Sequence, residues 1–342
     1  MGNRETYISK SILRSLFHEP PIAPKQTILA RILTFFSFFQ FALARFQAEL
    51  FKELRLKIWQ FEEDEYRESF RSDDTSGKLK PVGDLGYSGS TFFKTPNSKF
   101  LIKSIPRAFE HDFFAEDLLH LYADHMRAHP QSLLVRITDF LYSPHKTVGA
   151  MMGLAPTHHI IMENTLYGRD GDEAGPDAWE TYDLKPASYF FPERDLAGGK
   201  LAPESVKERL IDDFPDKIRV TAHQRDNLLA HLVEDTRLLE SANAVDYSLF
   251  LVRYPASHKK VGNLDALGTL WRDGVESTDS KWVYRAVLLD FFWAKHKLQP
   301  KLMTKMISSF NFFAKKGEMS ITTSPGEYRG RFLRMVESLI EV

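Results

Sequence analysis

Two apolar runs, YSLFLVRY (247–254) and WVYRAVLL (282–289), constrain this chain more than any other feature of its sequence. Both are of strand length, rich in β-branched and aromatic residues, and read as buried strands. The segment between them is polar and reads as a loop, a connection that permits antiparallel pairing. Asp246 stands just before the first run and Asp290 just after the second. If the runs pair antiparallel, the start of one lies beside the end of the other, and both carboxylates converge at one edge of the sheet. Two carboxylates facing a polyphosphate make a magnesium site, or a base plus a metal ligand. Two solvated strand-end acids would give the same spacing, so spacing alone leaves both readings open.

A second pattern lies upstream. GYSGSTFF (86–93) leads into alternating Thr91-Phe92-Phe93-Lys94-Thr95, a turn at Pro96-Asn97-Ser98 and the strand-like FLIKSI (100–105). This is a β-hairpin opened by a glycine-rich loop. Small residues at Gly86, Ser88, Gly89 and Ser90 let a backbone close over phosphates and aim its N–H groups at them. Lys103, on the second strand, can then reach phosphate oxygens, as the corresponding lysine of protein kinases does. A purely structural glycine–serine loop is the competing reading.

Further elements complete an α/β (α+β) chain in two lobes. Residues 1–25 read as an irregular N-terminal tail, 26–163 as an N-terminal lobe with a helical lead-in, and 164–342 as a C-terminal lobe. Helices are expected over 26–60, over 107–128 with Phe109, Phe113, Leu118, Leu121 and Tyr122 on one side, over 227–242 and over 327–340; HHIIM (158–162) reads as a strand. Histidines 120, 125 and 129 read as surface residues, and His158-His159 as strand-edge residues. Ser88 or Ser90 as a nucleophile would need a His/Asp pair that nothing in the chain positions.

Composition excludes several classes. With Lys+Arg 45 against Asp+Glu 46, the net charge of -1 speaks against a nucleic-acid binder held by bulk electrostatics. No cysteine is present, which removes disulfides, thiolate zinc sites and thiol catalysis. Met1–Lys10 is polar, unlike a secretory signal. The longest uncharged apolar stretch, Ile32–Ala44, is shorter than the ~20 residues of a membrane-spanning helix. The expectation is a cytoplasmic protein, with peripheral attachment to a membrane left open.

The ordered set FKELRLKIWQFEEDEYRESF (51–70), GYSGSTFF, FLIKS, PQSLLVRITDFLY (130–142), IIMEN (160–164), TYDLKPAS (181–188), NAVDYSLFLVRY (243–254), VLLDFF (287–292) and MSITTSPGEYRGRFL (319–333) resembles the phosphatidylinositol phosphate kinase family. The resemblance runs from about Phe51 to Leu339. It implies a bilobal kinase-like fold of the SAICAR synthase-like type, with antiparallel sheets and flanking helices, and transfer of the ATP γ-phosphate to an inositol ring at a membrane surface. Carried over, Gly86, Ser88, Gly89 and Ser90 form the phosphate loop, Lys103 is the nucleotide-phosphate lysine, and Ile161, Met162 and Asn164 belong to the adenine hinge. Asp246 orients the attacking hydroxyl or accepts its proton, Lys185 contacts phosphate, and Asp290, with Asp246, holds Mg2+. A kinase of a soluble inositol phosphate would use the same charges, and a silent phosphoinositide-binding scaffold is the rival outside enzymes.

The sequence departs from the family at two points. The DLKGS motif is here DLKPAS, and proline at 186 fixes φ and removes a donor beside Lys185. The acidic partner of Lys103 stands as Asp112, with Glu116 one turn on. Two further features suit an anionic membrane: the acid-free, lysine-rich segment 295–316, with an apolar helical face beside Lys301 and Lys305, and the N-myristoylation pattern MGNRET at Gly2.

Overall fold

The structure is a computed structural model; it describes residues 3–17, 42–71, 79–82, 90–144, 148, 156–172, 175–186, 196–197, 200–201, 214–258, 269–294, 296 and 323–342. The chain divides into two compact units, Met1–Ala108 with Arg136–Tyr167, and Phe109–Val135 with Gly168–Val342.

The first unit is built on a six-stranded antiparallel sheet. Its strands are β1 (Ala44–Arg45), β2 (Lys80–Val82), β3 (Phe92–Lys94), β4 (Phe100–Ser104), β5 (Ile137–Tyr142) and β6 (His158–Glu163), in the order β1-β5-β6-β4-β3-β2. Helices α1 (Asn3–Phe17), α2 (Ala48–Glu53, continued in π register over Leu54–Ile58) and α3 (Glu63–Glu68) belong to the same unit. Alternation along the strands sorts side chains by face. Phe100 and Ile102 of β4, Phe93 of β3, Ile161 of β6 and Leu141 of β5 share a core with Ile8, Ile12 and Leu16 of α1 and with Tyr66 and Phe70.

Two expectations fail here. The tail expected to be irregular contains α1, because Ile8, Ile12 and Leu16 repeat at helical spacing and bury one stripe, while Ser9 Oγ accepts the Leu79 amide at 3.0 Å. The one or two helices expected over 26–60 are interrupted, among the described residues, by a short strand. Ala44–Arg45 pair with β5, Phe46 N donates to Phe140 O at 2.8 Å, and α2 starts only after Gln47 at φ 47. The reason is charge: Arg45 Nε and Nη2 grip buried Asp139 at 3.0 and 2.8 Å, which holds this segment as an edge strand. The phenylalanines at 35, 36, 38, 39 and 41 lie outside the described residues.

In the second unit a long helix, α4, runs through Ala108–Asp112, a π-register stretch Phe113–Leu118 and Leu119–Ala128. The wider π turn shifts the apolar stripe, so Leu118 and Tyr122 are buried while Leu121, expected on the same side, is 42% exposed. The remaining strands are β7 (Glu180–Leu184), β8 (Leu196–Ala197), β9 (Lys200–Leu201), β10 (Ile218–Arg219), β11 (Ala244–Val245), β12 (Ser248–Pro255), β13 (Val275–Glu276), β14 (Trp282–Leu289), β15 (Trp293–Ala294) and β16 (Ile340–Glu341). The principal sheet, β13-β14-β12-β7, is antiparallel throughout. Helices α5 (Ala222–Ser241), α6 (Leu270–Asp273) and α7 (Pro325–Leu339) flank it. A capping box between Thr221 and Gln224 starts α5, and Ser324 with proline at the first helical position starts α7.

Candidate active site

The two apolar runs do pair antiparallel, with Ser248 opposite Leu289 and Pro255 opposite Trp282. Beyond them a second short ladder sets Val245 opposite Trp293 and Ala244 opposite Ala294. Between the ladders, Asp246 and Tyr247 on one strand face Asp290, Phe291 and Phe292 on the other, one residue more. The sheet absorbs this mismatch in the two aspartates. Asp246 has φ 67 and Asp290 φ 59, a left-handed conformation that non-glycine residues adopt at a cost, least for Asp and Asn. Both acids therefore sit in one bulged gap between two antiparallel ladders, on backbone that those ladders impose.

Lys185 follows β7, whose Leu184 pairs with Leu249 of β12. That register sets Lys185 beside Ser248, and its Nζ lies 3.6 Å from Asp246 Oδ2. Asp246 is buried and Lys185 largely so. Proline at 186 does not prevent this approach, because the ladder positions Lys185 from its N-terminal side.

Packing holds the gap from both sides. The Tyr247 ring meets Tyr328 and Phe332 of α7, and Tyr328 OH donates to Tyr247 O at 2.6 Å. Phe291 stacks on Tyr122, Phe292 meets Phe114, and Trp293 meets Phe109, all three partners on α4. Mg2+ takes one or two carboxylates and completes its shell with water and substrate phosphates. An Asp pair in one gap fits that demand; among the described residues no group of three or more metal-binding side chains gathers.

In the first unit, Lys103 on β4 lies opposite Phe92 and Ile160, its Nζ 5.7 Å from the Phe92 ring centroid. Alternation puts Met162 on the face that carries Lys103 and Ile161 on the opposite, core-facing one. Ile161 therefore offers this face no side chain. Asn164 is committed locally: Nδ2 donates to Ser98 O at 2.7 Å and Oδ1 accepts Leu166 N at 3.1 Å. Ser90 is buried beside Thr91, whose amide donates to Ser104 Oγ at 2.7 Å. Gly86, Ser88 and Gly89 lie outside the described residues, as do Gly2 and all of 295–316 except His296. Asp112 is half-exposed and bonded to its neighbour, His111 Nδ1, at 2.8 Å.

Several buried polar groups were not legible in the sequence. His125, expected at the surface, is partly buried, with its Nε2 2.7 Å from Asp235 Oδ1. His159, expected at a strand edge, lies on a central strand with no exposure, and burial pushes its pKa down to about 3. Asp139 receives Arg45, Arg55 and Tyr66 OH, the last two at 3.2 and 3.1 Å. Burial and the Asp139 charge push the Tyr66 phenol up. Each of these contacts joins residues far apart in sequence, and no local pattern announces them.

A family model described as phosphatidylinositol-4-phosphate 5-kinase matches residues 74–269, more than half the chain and the stretch that carries the glycine-rich loop, Lys103, Lys185 and Asp246. The chain belongs to this family. A probable phosphatidylinositol phosphate kinase of Dictyostelium discoideum is 30% identical over 183 residues, covering 52% of this chain and 23% of that protein. A phosphatidylinositol 4-phosphate 5-kinase of Plasmodium falciparum is 25% identical over 294 residues, 77% of this chain and 16% of that protein. A type-1 beta phosphatidylinositol 4-phosphate 5-kinase of Gallus gallus is 27% identical over 179 residues, 52% of this chain and 30% of that protein. The chain thus spans less than a third of the length of each of these relatives. Its mixed α/β architecture, antiparallel sheets with flanking helices, agrees with the kinase-like fold that the family implies.

Proposed function

We propose that this chain is an ATP-dependent kinase that transfers the γ-phosphate to a ring hydroxyl of a phosphatidylinositol monophosphate. The observation that carries the reading is the bulged gap: two aspartates on left-handed backbone, with Lys185 beside one of them, in a chain of this family. Phosphoryl transfer demands little covalent chemistry from a protein, so positioned charges make up most of the mechanism. In the step, the inositol hydroxyl oxygen forms a bond to the γ-phosphorus, the bond to the ADP oxygen breaks, and the hydroxyl proton passes to the Asp246 carboxylate. Lys185 draws phosphate oxygens toward that carboxylate and limits its repulsion of them. Lys103 takes the nucleotide phosphates, and Met162 supplies apolar surface for adenine. Asp290, with Asp246, would hold Mg2+, which when bound neutralises charge on the phosphates.

The lipid would be met at an anionic membrane surface. No helix among the described residues is long and apolar enough to cross a membrane. Peripheral attachment through the lysines of 295–316, each worth roughly 1 kcal/mol near an anionic leaflet, is part of the proposal. So is acylation of Gly2, since a single myristoyl chain binds only marginally and needs such a second signal. Lys301→Glu/Lys305→Glu should weaken binding to anionic vesicles, and intact mass of the eukaryotically expressed protein reads the acyl group.

Radiolabelled ATP with vesicles containing phosphatidylinositol 4-phosphate tests the reaction. Label is expected in lipid with the wild type and not with Asp246→Asn. Label in a soluble inositol phosphate but not in lipid would move the substrate to the soluble class. Vesicle binding without transfer by either protein would leave a phosphoinositide-binding scaffold.

A further inference from the structure

Four of the residues between α4 and β5, Ser132 to Val135, are fully buried, and their polar backbone groups have identifiable partners. Ser132 N donates to His129 O at 2.9 Å and Leu134 N to Ser132 Oγ at 3.2 Å. The carboxylate of Asp235, on α5, takes Ser132 Oγ at 2.6 Å and Leu133 N at 2.7 Å, along with its contact to His125. Arg272 Nη2, on α6, donates to the carbonyls of Ser132 and Leu134, the second at 2.7 Å. Asp235 and Arg272 are both almost without exposure. One buried anion thus holds two of the segment's donors, and one buried cation holds two of its carbonyls.

What remains of the segment's hydrogen bonding goes largely to the strand of the candidate metal ligand. Leu288 N donates to Leu133 O at 2.7 Å, Val135 N donates to Leu288 O at 3.0 Å, and Leu134 bridges Leu288 in parallel. Leu288 is two residues before Asp290, and beyond Asp290 the aromatic side chains of Phe291 to Trp293 pack against α4. A left-handed residue at a bulge persists only where its surroundings over-determine it. The bolted segment fixes the strand on the N-terminal side of Asp290.

We propose that Asp235 and Arg272 are positioning residues for Asp290: they lock Ser132–Val135 against β14, and through it set the backbone from which the Asp290 carboxylate meets a divalent cation. The proposal rests on the kinase reading for Asp290 as a metal ligand and for the activity arm, while the exchange arm stands apart from it. Groups that orient a metal ligand from behind are worth roughly 10–100-fold in metal affinity or turnover.

The test uses the full chain with Asp235→Asn and, as a second variant, Arg272→Gln. Three quantities are compared with the wild type: hydrogen exchange at the Leu288 amide, Mn2+ affinity in the presence of a non-hydrolysable ATP analogue, and kcat against KM for ATP. Exchange at Leu288 is expected to accelerate while the amides of Leu249 and Leu251 keep their protection. Mn2+ affinity and kcat should each fall about tenfold or more, with KM for ATP within about twofold. Faster exchange at Leu288 with unchanged Mn2+ affinity would overturn the positioning role, and unchanged exchange would overturn the lock itself. If one variant fails to fold, the other decides. A wild type that transfers no phosphate, yet binds Mn2+ more tightly than the variants, would sink the kinase reading and support this one.

Discussion

Asp139 in the first unit and Asp246 in the second are both buried aspartates, and the chain treats them in opposite ways. Asp139 stands on β5 beside a register shift in its pairing with β6, gripped by Arg45 at 2.8 Å, by Arg55 at 3.2 Å and by the Tyr66 hydroxyl. Asp246 stands at φ 67, beside a lysine at 3.6 Å, a separation beyond hydrogen-bonding distance. A carboxylate bonded at short range by two guanidinium groups has a structural task, because removing it would cost buried Arg55 and half-buried Arg45 a counter-charge. A carboxylate on left-handed backbone carries a conformational cost of its own. Such strain is characteristic of sites that handle ligands. Asp235 belongs with Asp139 in its bonding, although its partners lead to Asp290.

The largest effect should separate the two classes by function. Asp246→Asn and Asp290→Asn are each expected to lower lipid-kinase turnover by about 10²–10⁴-fold, the range for a lost acid–base group, read by initial rates with phosphatidylinositol 4-phosphate vesicles. Asparagine tolerates left-handed backbone as aspartate does, so both variants should stay folded. Asp139→Ala should act on stability instead, costing about 3 kcal/mol in a urea denaturation by breaking the buried pair with Arg55, which keeps Glu63 as its second partner.

A strained glycine offers a smaller test within the second unit. Gly274 has φ +124, and a Cβ there would lie 2.6 Å from Val283 Cγ1. Gly274→Ala should cost about 1–3 kcal/mol in unfolding free energy, by strain and overpacking on β14. The first unit has its counterpart in His159, whose folded pKa is pushed down to about 3 against about 6.5 in the unfolded chain. The unfolded state then binds a proton below pH 6.5 that the folded state refuses until about pH 3. Stability from this group is therefore complete above pH 6.5 and lost as pH falls, by about 2 kcal/mol at pH 5. Comparing unfolding free energies at pH 7 and pH 5, His159→Leu should lose that much less than the wild type. An equal loss would mean that His159 is not buried in its neutral form.

The two units also differ in how much of them could be read beforehand. The bulged gap was legible in outline, because strands announce themselves by apolar runs and a loop leaves antiparallel pairing open. Its left-handed aspartates were not, since the extra residue appears only when the 244–245 and 293–294 ladder is known. The stripe of α1 was present at 8, 12 and 16 but was masked by the prolines that follow at 20, 21 and 24. The π turn of α4 left no mark on the sequence, and it misplaced Leu121. The ion pairs of Asp139 and the clamp on Ser132 were illegible for a simpler reason: Arg55 and Asp235 lie 84 and 103 residues from their partners.

The central claim is that Asp246 is kept for chemistry and Asp139 for the fold. It is tested most directly by turnover per folded molecule, measured on Asp246→Asn and Asp139→Asn with the folded fraction of each determined by denaturation in the same buffer. The account predicts that Asp246→Asn stays folded, since asparagine keeps the size and the left-handed backbone of aspartate, and is nearly inactive. It predicts that Asp139→Asn is markedly less stable, yet close to wild type in turnover for every molecule that remains folded. Retained turnover in a well-folded Asp246→Asn would contradict it, and so would an Asp139→Asn that keeps its stability and loses its activity.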